Sequence, residues 1–188
     1  LPRWYNGLDG NGNDGLRILS KGAVIVQKTK ANNSGHYGAY IDNSQGTGTV
    51  TITDSQFNKN ANVSVNPLVE YGLYVLSRGS ITLTTVQASD AGYNDEDDDL
   101  NDVYGSNAYL DNSTALTPAA VSITKGTFDN AFGHNVLGGG NGLEVNSKGA
   151  ITFKTGSANN NLQSAATLNN STSAANQAVT VDSVNMYG

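Results

Sequence analysis

The stretch Gly72-Leu-Tyr-Val-Leu-Ser-Arg-Gly-Ser-Ile-Thr-Leu83 decides the fold. Leu73 and Val75 alternate with Tyr74, which is the period of a strand with one face turned inward. Ser77-Arg78-Gly79 carries turn chemistry, and the Gly is expected to supply the positive φ of a tight corner. Ile81 and Leu83 then resume the alternation around Thr82. Two short strands joined by a corner have one apolar face and nothing of their own to bury it against, so the unit needs neighbours.

The neighbours are in the chain. With Gly15, Gly38, Gly72, Asn107, Gly142 and Ser164 as anchors, the spacings are 23, 34, 35, 35 and 22 residues. The next position holds Leu16, Ala39, Leu73, Ala108, Leu143 and Ala165, and two further on come Ile18, Ile41, Val75, Leu110, Val145 and Thr167. The second strands read Val24/Val26, Val50/Ile52, Ile81/Leu83, Val121/Ile123, Ile151/Phe153 and Val179/Val181. Short corners (Ser20-Lys21-Gly22, Ser77-Arg78-Gly79, Ser147-Lys148-Gly149) alternate with long ones that begin Asp42-Asn43, Asp111-Asn112 and Asn169-Asn170. Phe57, Val86, Phe128 and Val184 mark a third strand in four units. A fixed unit repeated this often is the signature of a stacked array.

Composition agrees and excludes several classes. Of 188 residues, 22 are Gly and 25 are Asn, a turn-rich mix that suits short strands rather than helices. No run approaches the ~20 apolar residues that cross a bilayer. A net charge of −6 with only 10 Lys and Arg argues against nucleic acid as a partner. The absence of Cys removes disulfides and thiolate chemistry. The chain begins at Leu1, which leads us to expect a removed leader or a piece of a longer polypeptide.

The Gly-Leu-x-Val-x-Ser-[Lys/Arg]-Gly-x-Ile-Thr-Leu unit of Gly72 to Leu83 and the Tyr-x-Asp-Asn units Tyr40 to Asn43 and Tyr109 to Asn112 resemble the right-handed parallel β-helix proteins of the pectate-lyase-like superfold. The resemblance runs over about residues 15–184. It implies an all-β, single-stranded right-handed parallel β-helix, a β-solenoid of about six coils with alternating short and long corners. The expected domains are an N-terminal arm, 1–14, and the β-helix, 15–188. Ser20, Asn43, Ser77, Asn112, Ser147 and Asn169 share one corner position, so a polar ladder bonded from coil to coil is expected there.

The resemblance also raises the question of catalysis. Pectate lyases use acidic calcium ligands and an Arg base on one sheet face, whereas Arg here occurs only at Arg3, Arg17 and Arg78. Asp42 and Asp111 lie on alternate units, about 9.6 Å apart if stacked, but Leu76 stands between them and both belong to repeated Asp-Asn corners. Gly133-His134-Asn135 is a poor echo of the Gly-His-Gly turn of polygalacturonases, and His36 and His134 form no metal cluster. No catalytic residue is assigned.

Other candidates are surface features. Tyr40, Tyr74 and Tyr109 fall between inward positions and are expected to form an outward strip on which sugar rings lie. Asp95, Asp97 and Asp99, and separately Asp9, Asn11 and Asp14, are calcium candidates by their clustered oxygens; no cofactor is required by the fold itself. Thr51-x-Thr53, Thr82-x-Thr84 and Ser122-x-Thr124 resemble the Thr arrays of ice-binding solenoids, though Lys154 and Asp182 interrupt them. Trp4 and Tyr5 form an aromatic arm expected to clasp a neighbouring subunit. The functional expectation is an extracellular or cell-surface structural or adhesive solenoid. It would assemble head-to-tail with copies of itself or with neighbouring repeats of a longer chain, with a carbohydrate-binding module or a polysaccharide-active enzyme as alternatives.

Overall fold

The computed structural model describes residues 6–60, 70–92, 105–134, 138–173 and 176–187. Among these residues there is no helix, and the two strands of each unit go to two parallel sheets. Sheet 1 runs, in spatial order, through Leu16–Leu19, Ala39–Asn43, Glu70–Ser77, Gly105–Asp111, Leu143–Asn146 and Ala166–Asn169. Sheet 2 runs through Asn6–Gly7, Thr29–Lys30, Val50–Gln56, Ile81–Gln87, Val121–Thr124, Ile151–Ser157 and Val179–Asn185; an eighth strand, Val24–Gln27, also pairs with Val50–Gln56. Spatial order follows chain order in both, and neither closes into a barrel. A two-stranded antiparallel ribbon, Gly133–His134 with Gly138–Gly139, stands apart.

Register decides what is buried. Leu16, Ala39, Leu73, Ala108 and Leu143 pair in sequence, as do Val50, Ile81, Val121, Ile151 and Val179 in sheet 2. Because facing direction alternates along a strand, one register places Ile41, Val75, Leu110 and Val145 of sheet 1 and Ile52, Leu83, Ile123 and Phe153 of sheet 2 in one fully buried core.

The final unit corrects the sequence reading by one residue. Leu143 pairs with Ala166 and Val145 with Leu168, so Ala166 and Leu168, not Ala165 and Thr167, hold the inward columns. The reason is apolar area: Leu168 packs against the core whereas Thr167 is exposed. The ladder position moves with it. The Ser147 N–H donates to the Asn169 carbonyl, which puts Asn170 rather than Asn169 beside Ser147.

The ladder residues act mainly within corners. Oγ of Ser20, Ser77 and Ser147 accepts the N–H of Gly22, Gly79 and Gly149 at 3.1, 3.0 and 3.1 Å. These Gly do not take the positive φ expected of them; at Gly79 and Gly149 the requirement is space, since a Cβ would lie 2.3 and 2.5 Å from the Gly48 and Ala119 carbonyl oxygens of the neighbouring unit. In long corners, Asp42, Asp111 and Asn169 accept the N–H of the Ser two residues on, and Nδ2 of Asn43, Asn112 and Asn170 donates across the corner to Gly48, Ala119 and Gln177 carbonyls. Between units, Asn112 Nδ2 donates to the Gly79 carbonyl and Ser147 Oγ to the Ala119 carbonyl, each at 3.2 Å, while Asn169 Nδ2 donates to the Asn146 Oδ1 side chain at 3.0 Å.

The third strand is the continuation of sheet 2 past a bend. Lys28, Asp54, Thr85, Lys125, Thr155 and Ser183 sit at one register position, all with φ between 49° and 57°. After the bend come two inward positions, filled as Ser55/Phe57, Val86/Ala88, Gly126/Phe128 and Gly156/Ala158. The varying offset of Phe57 and Val86 follows: they occupy different positions of the pair. Next, an Asx and Ser ladder joins the units: side chains of Asp9, Asn32, Asn58, Ser89, Asp129 and Asn159 each accept a backbone N–H from the following unit at 2.7–3.2 Å. Residues 6–9 of the expected arm belong to the stack, since Asn6–Gly7 pairs with Thr29–Lys30 and Leu8 packs on the core. Trp4 and Tyr5 lie outside the described residues.

Candidate functional site: the tyrosine face

The outer face of sheet 1 concentrates aromatic groups. Arg17, Tyr40, Tyr74, Tyr109, Glu144 and Thr167 occupy one register column. A second column adds Tyr37 and Tyr71, which the sequence reading missed. Tyr71 and Tyr74 both lie on this face although they are an odd three positions apart, because the strand is irregular at Gly72. A Cβ there would lie 2.8 Å from the Asn107 and Phe57 carbonyl oxygens, so only Gly allows this approach.

The parallel register stacks the rings on one another. Tyr40 and Tyr74 have centroids 5.3 Å apart and planes 10° apart; Tyr74 and Tyr109 are at 5.0 Å and 10°. Tyr37 and Tyr71 stack at 6.4 Å and 6°, and each tilts against the first column. The remaining face of Tyr40 is covered by the Arg17 guanidinium, 4.4 Å from its centroid and held by Asp14 at 2.9 Å. The inner rings therefore offer solvent their edges and hydroxyls, not the flat faces on which the sugar-stacking expectation depended.

Burial governs the electrostatics. It pushes the Tyr37 phenol up to about 12, with the Glu70 carboxylate adding to the effect. Burial is also the largest cause raising Tyr71, Tyr74 and Tyr109. The Tyr109 hydroxyl donates to Asp111 Oδ2 at 3.1 Å and accepts from Asn146 Nδ2 at 3.4 Å. Beside this face, the buried Glu70 pairs through Oε1 with His36 Nδ1, while its Oε2 has no partner among the described residues. Desolvation raises the Glu70 carboxyl, against the lowering effect of His36.

The other sequence candidates do not converge. Asp14 is engaged by Arg17 and by the Tyr37 N–H, Asp9 by the Asn32 N–H, and Asn11 donates through Nδ2 to the Leu8 carbonyl. Among the described residues no three His, Asp or Glu side chains are grouped to hold a metal ion. Asp95, Asp97 and Asp99 lie outside the described residues. Asp42 and Asp111 flank Leu76 in register and cap their corners. On sheet 2, Thr51, Thr82, Ser122, Thr152 and Thr180 form an outward row in register with Ile25. Among the described residues no helix is long and apolar enough to cross a membrane.

Compared with known protein families, curated proteins and solved structures, the chain matches none.

Proposed function

We propose that the two parallel sheets are walls of a right-handed parallel β-helix of about six coils, of the pectate-lyase-like kind, and that the chain is an extracellular structural or adhesive solenoid. It stacks head-to-tail with copies of itself or with neighbouring repeats of a longer chain. The observation that carries this reading is the end of sheet 2. Val179–Asn185 pairs on one edge with Ile151–Ser157, and its other edge has no strand partner among the described residues. Val179 and Val181, in register with the fully buried Ile151 and Phe153, are 44 % and 45 % exposed. One more parallel strand in this register would satisfy the edge and cover both side chains.

The alternatives have less to work with. A carbohydrate-binding module on Tyr40, Tyr74 and Tyr109 would have mainly ring edges and hydroxyls to use. A polysaccharide-active enzyme would need Asp42 and Asp111, whose carboxylates accept backbone N–H groups in the corners. Electron microscopy with light scattering across concentrations tests the assembly reading. Fibres growing along the stacking axis are expected, and Val181→Lys should stop their growth because it places a charge on the joining face. Monomers at every concentration, or undisturbed fibres from the Lys variant, would remove the support.

A further inference from the structure

The tyrosine column has a chemistry that is independent of assembly. Its rings are half-buried and in mutual contact, with Tyr74 centred 5.3 Å from Tyr40 and 5.0 Å from Tyr109, and the planes of both pairs 10° apart. The chain has no Cys, so phenols are among its readily oxidised groups. A phenol that loses an electron becomes a strong acid, and its proton must leave with the electron. Tyr109 has the acceptor in place, since its hydroxyl donates to Asp111 Oδ2 at 3.1 Å.

We propose that this column is an oxidative cross-linking site at which Tyr74 and Tyr109 couple to form dityrosine, joining two successive repeats covalently. The oxidant is hydrogen peroxide acting through a haem peroxidase. Each phenol gives up one electron and its O–H proton, and becomes a neutral phenoxyl radical. A carbon–carbon bond then forms between ring positions ortho to the two oxygens. The hydrogens on those two carbons return to the phenolic oxygens as the rings regain aromaticity. The pair loses two electrons and two protons in all, and these convert one peroxide to two waters. Asp111 accepts the Tyr109 proton and passes it to solvent. Stacking supplies the proximity: two radicals held ring against ring react as an intramolecular pair rather than by diffusion. The new bond would tie Glu70–Ser77 to Gly105–Asp111, strands already paired in register.

The test treats the purified chain with peroxidase and limiting peroxide, follows dityrosine fluorescence and intact mass, and maps the link by digestion. A monomer-sized product that has lost two hydrogens, with the link between the 70–77 and 105–111 peptides, is expected. Tyr74→Phe keeps the ring stack and should lower the intramolecular yield by about an order of magnitude. Asp111→Asn keeps an oxygen for the corner but no proton acceptor, and should slow coupling several-fold. Denaturant should abolish the mapped link by dispersing the stack. The proposal falls if links form only between molecules, if the mapped link forms equally well in denaturant, or if Tyr74→Phe leaves the intramolecular yield unchanged.

Discussion

Phe153 and Val181 are neighbouring rungs of one ladder, both on the inner face of sheet 2, yet Phe153 is fully buried and Val181 is 45 % exposed. Both side chains are apolar, and both lie in the same column. What differs is that, among the described residues, Phe153 has a rung on each side and Val181 has one. Burial in this molecule is supplied by the adjacent unit, so stability is set at the contacts between units. The largest expected effect follows from this. Phe153→Ala removes a ring packed edge-on against Phe128 at 5.8 Å and should cost about 3–5 kcal/mol. Val181→Ala should cost under about 1 kcal/mol in the monomer, because nearly half of that side chain is already in water. Chemical denaturation measures both. If the two costs were equal in monomers, burial would not track the number of neighbours. If Val181→Ala becomes costly only in assembled material, the added rung is real.

The corner Asn residues repeat the contrast with polar groups. Asn112 is fully buried, and its Nδ2 serves the Ala119 and Gly79 carbonyls at 2.9 and 3.2 Å. Asn170, one ladder position beyond Ser147, serves the Gln177 carbonyl at 2.8 Å from a half-exposed site. Replacing Asn112 by Ala strands carbonyls away from water and should cost about 2–3 kcal/mol. The same change at Asn170 should cost under about 1 kcal/mol, because water can reach the freed carbonyl. Thermal melts of the two variants decide the point, and equal losses would show that the corner bond, not its burial, sets the cost.

Where the sequence was legible, the reason was unambiguous alternation. Leu73, Val75, Ile81 and Leu83 leave one choice of inward face, and they are all fully buried. The slip in the last unit arose where residues are doubled: Ala165-Ala166 and Asn169-Asn170 look the same after a shift of one, and only Leu168 against Thr167 breaks the tie. Tyr37 and Tyr71 were missed because the irregularity at Gly72 violates the period of two, which no alternation count detects. The Asp9–Asn32–Asn58–Ser89–Asp129–Asn159 ladder was hidden by composition, since Asn in a chain this rich in it reads as generic turn material. A usable signal was present: from Asn32 to Asn159, each ladder residue follows an Ala or Phe and precedes Asn33, Lys59, Asp90, Asn130 or Asn160, mostly the Asn and Asp that tolerate the positive φ found there. Glu70 and His36 carry no local motif, and only register brings them together.

The smallest effect concerns the outer face. The tyrosines occupy the middle units, whereas Glu144 and Thr167 continue their column toward the end. A free phenol ionises near pH 10, while the folded chain holds the Tyr37 proton until about 12. Between these values the unfolded chain carries fewer protons than the folded one, so stability must fall as pH rises. The contribution is intact below pH 10 and is lost as Tyr37 ionises in the fold. Alkaline loosening should therefore begin in the units that carry the tyrosines rather than by fraying from the end. Melting temperature followed from pH 9 to 12 should decline, and Tyr37→Phe, which keeps the ring and removes the titrating hydroxyl, should flatten the decline in part because Tyr71, Tyr74 and Tyr109 still contribute. A decline as steep in the Phe variant as in the parent would mean that the ring matters to this face only as a packed surface, and that its proton does not.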